Sequence, residues 1–389
     1  MKTLDRVAWA LLCAFVFTIP WEKSLFVPEV GSIARFLGMV AFAAGGAAAV
    51  RTAALRKPNG ALLLAAVFVL WSAATWWWSL DATATLRRIR TFAELLAMFW
   101  LIWNSCRTSR RQRHLMQAYV WGATAASCLA FWRYFHNHQT YYLRYAASGF
   151  DPNDFGLVLA ISAPLALYLA LTEPGLRRWL YLAVVPIVIS AVVLTASRAS
   201  LIATFVAFSF SLFAWRAADR TFRVVSLMLM AGLGLSLVHF APAPQRNRLS
   251  TITKEVTTGT LHGRTRIWKA GLKAFKQHPL IGVGSGAYPK ATEPWLGKPT
   301  VAGFQYVAHN TFLSVLVECG AIGFGIFGLL LATLVFFIWT MPPLERWLWL
   351  VVAATWTVGV LTLTWEHYKP TWLIMALITT GWAGSWRRQ

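Results

Sequence analysis

The chain has 389 residues, 58% of them hydrophobic and 13% charged, with a mean hydropathy of +0.55. A soluble domain carries about 25% charged residues, so these figures exclude an ordinary soluble fold and predict an all-α polytopic membrane protein. The net charge of +22, from 36 basic and 14 acidic residues, is spread over loops between apolar spans, where it sets topology and forms no patch for nucleic acid.

A helix needs roughly 20 apolar residues to cross the bilayer. Apolar runs of that order fall at 7–21, 31–50, 60–79, 85–104, 113–133, 154–172, 178–195, 200–215, 222–241, 312–339, 347–364 and 370–386. The first follows Lys2 and Arg6 and is built like a signal-peptide apolar core. Pro20, Trp21, Glu22 and Lys23 stand where a small-residue cleavage site would be, so a retained first transmembrane helix is expected. The organisation is therefore tripartite. Residues 1–241 carry nine spans, 242–309 form a polar insert, and 310–389 carry three more.

With a cytoplasmic N-terminus, the inner segments hold Lys2, Arg6, Arg51, Arg56, Lys57, Arg107, Arg110, Arg111, Arg113, Arg177, Arg178, Arg216, Arg220, Arg223, Arg346, Arg387 and Arg388. The short outer loops hold Lys23, Arg133, Arg144, Arg198 and Lys369. Positive residues accumulate inside, so both termini are expected inside and the insert outside. Arg87, Arg88 and Arg90 break that rule at the outer start of the fourth span, and Arg198 breaks it between the seventh and eighth. Two readings fit them: snorkelling to headgroups, or a functional cation near membrane depth.

The loop before the sixth span ends Asp151-Pro152-Asn153-Asp154. That is helix-capping chemistry, and Asp151 or Asp154 could also orient an arginine or ligate a cation. Tryptophans at the span ends, among them Trp76, Trp77, Trp78, Trp347, Trp349, Trp365 and Trp372, read as an aromatic belt. The four cysteines have no metal-ligand or disulfide spacing, so no metal site is expected.

The insert is rich in cations and poor in carboxylates, which suits an anionic, phosphate-bearing ligand. Thr265 to Gln277 has helical periodicity, with Arg266, Lys269, Lys273 and Lys276 on one face. Gly263 and Arg264 stand at its start, where an anion could meet a guanidinium and free N–H groups together. An amphipathic helix lying on anionic lipid is the other reading. The glycines at 282, 284 and 286 make a tight, close-packed turn rather than a phosphate loop. His309-Asn310 precedes the tenth span at the outer surface, where a histidine can titrate near neutrality.

In this order Asp151-Pro152-Asn153, Ser197-Arg198, Gly263-Arg264 with Ile267-Trp268, Pro279-Leu280-Ile281-Gly282-Val283-Gly284, His309-Asn310 and Glu318-Cys319-Gly320 resemble the O-antigen ligase family of bacterial inner membranes. The resemblance implies a GT-C-like arrangement of about 12 transmembrane helices with a helical periplasmic insert. It implies a glycosyltransferase that moves an O-antigen glycan from undecaprenyl pyrophosphate to the lipid A–core. Carried over residue by residue, the catalytic set is Arg198, Arg264 and His309. Arg87, Arg88, Arg266, Asn310 and Asp151 are the candidate substrate contacts, and either arginine of Arg264-Thr265-Arg266 could face the ligand. No cofactor is expected; the reaction would be metal-independent and inverting. The partners would be the lipid-linked glycan donor, the lipid A–core acceptor and membrane lipids. An O-antigen polymerase or a protein O-oligosaccharyltransferase of the same superfamily fits nearly as well. A flippase for a polyprenyl-linked or anionic substrate is the competing class, against which the near absence of charge at mid-span speaks.

Overall fold

A computed structural model describes residues 2–27, 31–51, 55–139, 144–216, 218–239, 263–298 and 305–385. The part of the insert holding Arg246, Arg248, Lys254 and His262, and the terminal Arg387 and Arg388, lie outside the described residues. The architecture is helical, with one two-stranded antiparallel ribbon pairing Phe26 with Ser32 and Val27 with Gly31. The helices are α1 (Lys2–Thr18), α2 (Ile33–Arg51), α3 (Gly60–Ala74), α4 (Ala82–Ser105), α5 (Ser109–Phe135), α6 (Pro152–Thr172), α7 (Leu176–Leu194), α8 (Arg198–Phe213) and α9 (Arg220–His239). In the insert, α10 (Arg264–Gln277) and α11 (Tyr288–Leu296) follow, and then α12 (Thr311–Trp339), α13 (Pro343–Val360) and α14 (Lys369–Ser385).

Each of the twelve apolar runs is a helix. Six helices among the described residues are long and apolar enough to cross a membrane: α1, α2, α3 (with the turn that extends it to Trp78), α6, α7 and α12. The remainder are shorter or more polar. Three arginines and a glutamate interrupt α4, and the first turns of α5 carry Arg110, Arg111, Arg113 and His114. The centre of the bundle is α6, which packs against α7, α8, α5 and α13. Its residues from Phe155 to Ala170 are buried on every side, and a helix that is apolar all round belongs in a core.

Polar contacts collect at two opposite ends. At one end Arg111 pairs with Asp5, Arg113 and Arg177 with Glu173, and Arg178 with Asp219. This joins the starts of α1, α5, α7 and α9 to the end of α6. At the other end Lys23 meets Asp154, Ser200 meets Asn153, and Arg88 meets Glu366. These contacts join the starts of α4, α6, α8 and α14. Helices that follow each other through short loops therefore run in alternating directions.

The insert is keyed into α12 by a break. Gly320 has φ +69°, which opens the helix inside its length. The chain 279–284 fills the gap: Val283 and Gly284 donate to the Val317 and Glu318 carbonyls at 3.1 and 2.9 Å, and Ala321 and Ile322 donate to Pro279 and Leu280 at 2.8 and 3.2 Å. Backbone groups orphaned by the break thus find partners. A Cβ on Gly320 would run into the Leu280 backbone, and one on Gly282 into Glu318 and Gly320. The glycine run that reads in sequence as a tight turn is this interlock.

The tryptophan belt needs correction. Trp76 and Trp77 are exposed, but Trp349, Trp365 and Trp372 are fully buried. Trp365 donates its indole N–H to Asp154 at 2.9 Å and Trp372 donates to the Glu366 carbonyl at 2.8 Å. These indoles knit the α13–α14 connection to the bundle, because an indole brings a large apolar body with one hydrogen bond to place.

Candidate active site

The first wall of the site is the start of α8. Ser197 caps the helix by accepting from the Ser200 N–H at 3.3 Å, and the Ser200 hydroxyl donates to Ser197 Oγ at 2.8 Å and to the Asn153 carbonyl at 3.2 Å. Ala196 before it has φ +48°, a left-handed conformation that costs an alanine about 1–2 kcal/mol. The payload of this turn is Arg198, the first residue of the helix and half-buried. Gly156 lets α6 approach Ser200 closely, so the starts of α6 and α8 stand side by side.

Between them lies a residue that no motif or spacing singles out. Arg144 is fully buried; its Nε–H donates to the Thr195 carbonyl at 2.7 Å and its Nη2 to Asn153 Oδ1 at 2.8 Å. A guanidinium is the one cation whose fixed fork can serve a helix-ending carbonyl and a side-chain amide at once. As a lone arginine in a polar loop, it counted in the sequence only toward topology.

Asp151 caps α6, accepting from the Asn153 N–H at 2.7 Å. Its carboxylate is near enough to His309 to act on the imidazole's charge, and so is the Arg264 guanidinium. Arg264 is the first residue of α10, and α10 is tied to the His309 loop by the Trp268 indole donating to the Ala308 carbonyl at 2.9 Å. His309 itself has φ +46°. Strained non-glycine backbone of this kind persists only where its surroundings enforce it, and it clusters at functional sites. Asn310 does the enforcing: it caps α12 by accepting from the Leu313 N–H at 3.0 Å and donates to the Leu361 carbonyl at 3.3 Å.

The imidazole is lowered from 6.5 to about 4, by burial first and by Arg264 second, with Asp151 pulling the other way. At neutral pH it is therefore an uncharged base beside a cation. The remaining cations divide. Arg87 and Arg266 are exposed, with Arg266 Nη2 reaching the Leu296 carbonyl at 3.5 Å. Arg88, read in sequence as a ligand contact, is turned inward: its Nη1 meets Glu366 Oε1 and His367 Nδ1, each at 2.6 Å. Burial favours the neutral Glu366, but His367 and Arg88 outweigh it and keep the carboxylate ionised. Arg88 thus braces the α13–α14 connection. Asp154 is likewise engaged, accepting from Trp365 and from the Tyr368 hydroxyl, both at 2.9 Å.

α10 is also clarified. Its buried Ala270, Gly271 and Ala274 pack on α11 and α12, and the Tyr288 hydroxyl donates to the Ile267 carbonyl at 2.9 Å. The apolar stripe is satisfied within the protein, and Lys269, Lys273 and Lys276 face outward.

Residues 182–328, which include Arg198, Arg264 and His309, match the family described as O-antigen ligase. Over 86 residues the chain is 40% identical to the exopolysaccharide production protein ExoQ of Rhizobium meliloti, a stretch covering 20% of this chain and 19% of that protein. The chain thus aligns with under a fifth of that relative. Through this matched segment, with its two arginine-headed helices and its His-Asn helix start, the chain is similar to the O-antigen ligase family.

Proposed function

We propose that this protein is an O-antigen ligase, transferring a glycan from undecaprenyl pyrophosphate to the lipid A–core at the periplasmic face of the inner membrane. In this reading all twelve apolar helices cross the bilayer in a GT-C-like arrangement, both termini are cytoplasmic, and residues 242–309 form a periplasmic subdomain. The observation that carries it is a neutral, strained His309 on which the charges of Arg264 and Asp151 both act, on the face where Arg198 heads α8.

The chemistry is a displacement. The acceptor hydroxyl oxygen attacks the anomeric carbon as the carbon–oxygen bond to pyrophosphate breaks, and undecaprenyl pyrophosphate leaves with the electron pair. Arg198 and Arg264 stabilise the charge that develops on it, with Arg266 and Arg87 adding field from the rim. His309 takes the hydroxyl proton and passes it to solvent, and Asp151 stabilises the imidazolium while it exists. Asn310 and Arg88 hold the two loops in place. One direct attack inverts the anomeric centre, and the leaving charge is met by guanidinium groups without a metal or cofactor.

The test is a reconstitution of purified protein with undecaprenyl-pyrophosphate-linked glycan and lipid A–core. Glycan should appear on the lipid A–core with wild type and fall by about two orders of magnitude or more in His309→Ala and Arg264→Ala. Longer lipid-linked chains with no lipid A product would instead make it a polymerase, a reading that the similarity to an exopolysaccharide production protein keeps in view. Folded protein that gives no covalent product would point to transport.

A further inference from the structure

A cavity of about 510 Å³ lies away from His309, between α1, α2, α4 and the α13–α14 connection. Its volume is in the range of ligand pockets, about 300–1,000 Å³. The body is apolar, walled by Phe15, Met39, Phe42 and Met98, and the small residues Ala34, Gly38 and Ala97 leave the space open. One end is a polar rim of Glu22, Lys23, Arg35, Glu94, His367 and Lys369. Along α4 the lining runs from Thr91 to Leu101, which at ~1.5 Å per residue is about 15 Å. That is half of the ~30 Å hydrocarbon core, the depth of one leaflet.

The rim decides what enters. It carries both signs: Lys369 Nζ meets Glu22 Oε2 at 2.5 Å, and Arg35 pairs with Glu94. Lys23, Arg35 and Lys369 stand against Glu22 and Glu94, and the two carboxylates find a ligand partner only in a molecule that also carries positive charge. A headgroup with one phosphate and one ammonium meets both signs. Arg35 also holds a buried Nε–H with no hydrogen-bond partner, a donor that a phosphate oxygen would satisfy. We infer that this cavity is a binding site for one acyl chain of a zwitterionic aminophospholipid, its phosphate at Arg35 and its ammonium at Glu22 and Glu94. The site is separate from the transfer reaction, but its rim residues Lys23 and Tyr368 also contact Asp154, so an occupied cavity would stiffen the loops behind the active site.

The test uses the full chain in detergent, titrated with phosphatidylethanolamine, phosphatidylglycerol or undecaprenyl phosphate and read by native mass spectrometry. Phosphatidylethanolamine should bind as a single retained copy and more tightly than the other two. Filling the cavity with Ala97→Phe should weaken it about tenfold or more, and Arg35→Gln should weaken it less. Unchanged binding in Ala97→Phe would overturn the assignment, and tighter binding of undecaprenyl phosphate would make the cavity a donor-tail site instead. Should Ala97→Phe fail to fold, wild type is cross-linked to phosphatidylethanolamine bearing a photoreactive acyl chain. Labelled peptides must then include Met39 or Met98, and labelling confined to other helices refutes the site.

Discussion

His309 shows how one residue's surroundings set its chemistry. In solution an imidazole titrates near 6.5; here burial, then the Arg264 charge, bring it down to about 4. The acid limb of kcat/KM, which reports the free enzyme, should therefore fall near pH 4. The limb of kcat should lie higher, because a bound pyrophosphate favours the imidazolium. Arg264→Gln removes one of the two depressing influences, so its residual activity should show a kcat/KM limb moved upward. A pH–rate series on wild type and this variant checks both shifts. The stability consequence has a definite sign. Between about 4 and 6.5 the unfolded histidine binds a proton that the folded one refuses, so this group's contribution makes the protein more stable as pH rises through that window. Arg144 illustrates the opposite problem: its importance comes wholly from where the chain carries it, between Thr195 and Asn153, and no spacing in the sequence announces that.

At the scale of elements, the helices follow from local rules. Asn59, Asp81, Thr108, Asp151, Ser197 and Asn310 each cap the helix that follows by accepting a backbone N–H, the standard use of short polar side chains. The interlock between the insert and α12 follows from packing. Gly320→Ala would combine a left-handed conformation, costing about 1–2 kcal/mol, with a collision against the Leu280 backbone. It should lower the thermal midpoint in detergent and loosen the His309 loop, reducing activity. A Cβ on Gly325 or Gly328, in the same helix, meets nothing, so alanine there should be neutral or stabilise by about 0.5–1 kcal/mol. Equal effects at all three positions would show that the break in α12 has no special role.

Across the whole molecule, the two polar ends make a topological prediction. Lys273 is exposed on α10 and Arg177 lies at the opposite end, beside Glu173. In intact cells a membrane-impermeant maleimide should label Lys273→Cys and spare Arg177→Cys, and permeabilisation should expose the second. Labelling of both, or the reverse order, would overturn the proposed orientation. Composition and the twelve apolar runs sufficed to determine a helical membrane protein and its alternation, because hydropathy and length are local properties that the bilayer reads directly. The family resemblance was legible too, as were the positions of the candidates Arg198, Arg264 and His309, which sit at helix starts marked by capping and glycine signals. Tertiary structure alone decided which cations are turned into the protein, as Arg88 and Arg144 are. Arg88 reads in sequence as a ligand contact, but Glu366, 278 positions away, takes up its charge. Only folding brings such a distant carboxylate within reach, and a charge in a low-dielectric interior is governed by what lies beside it in space.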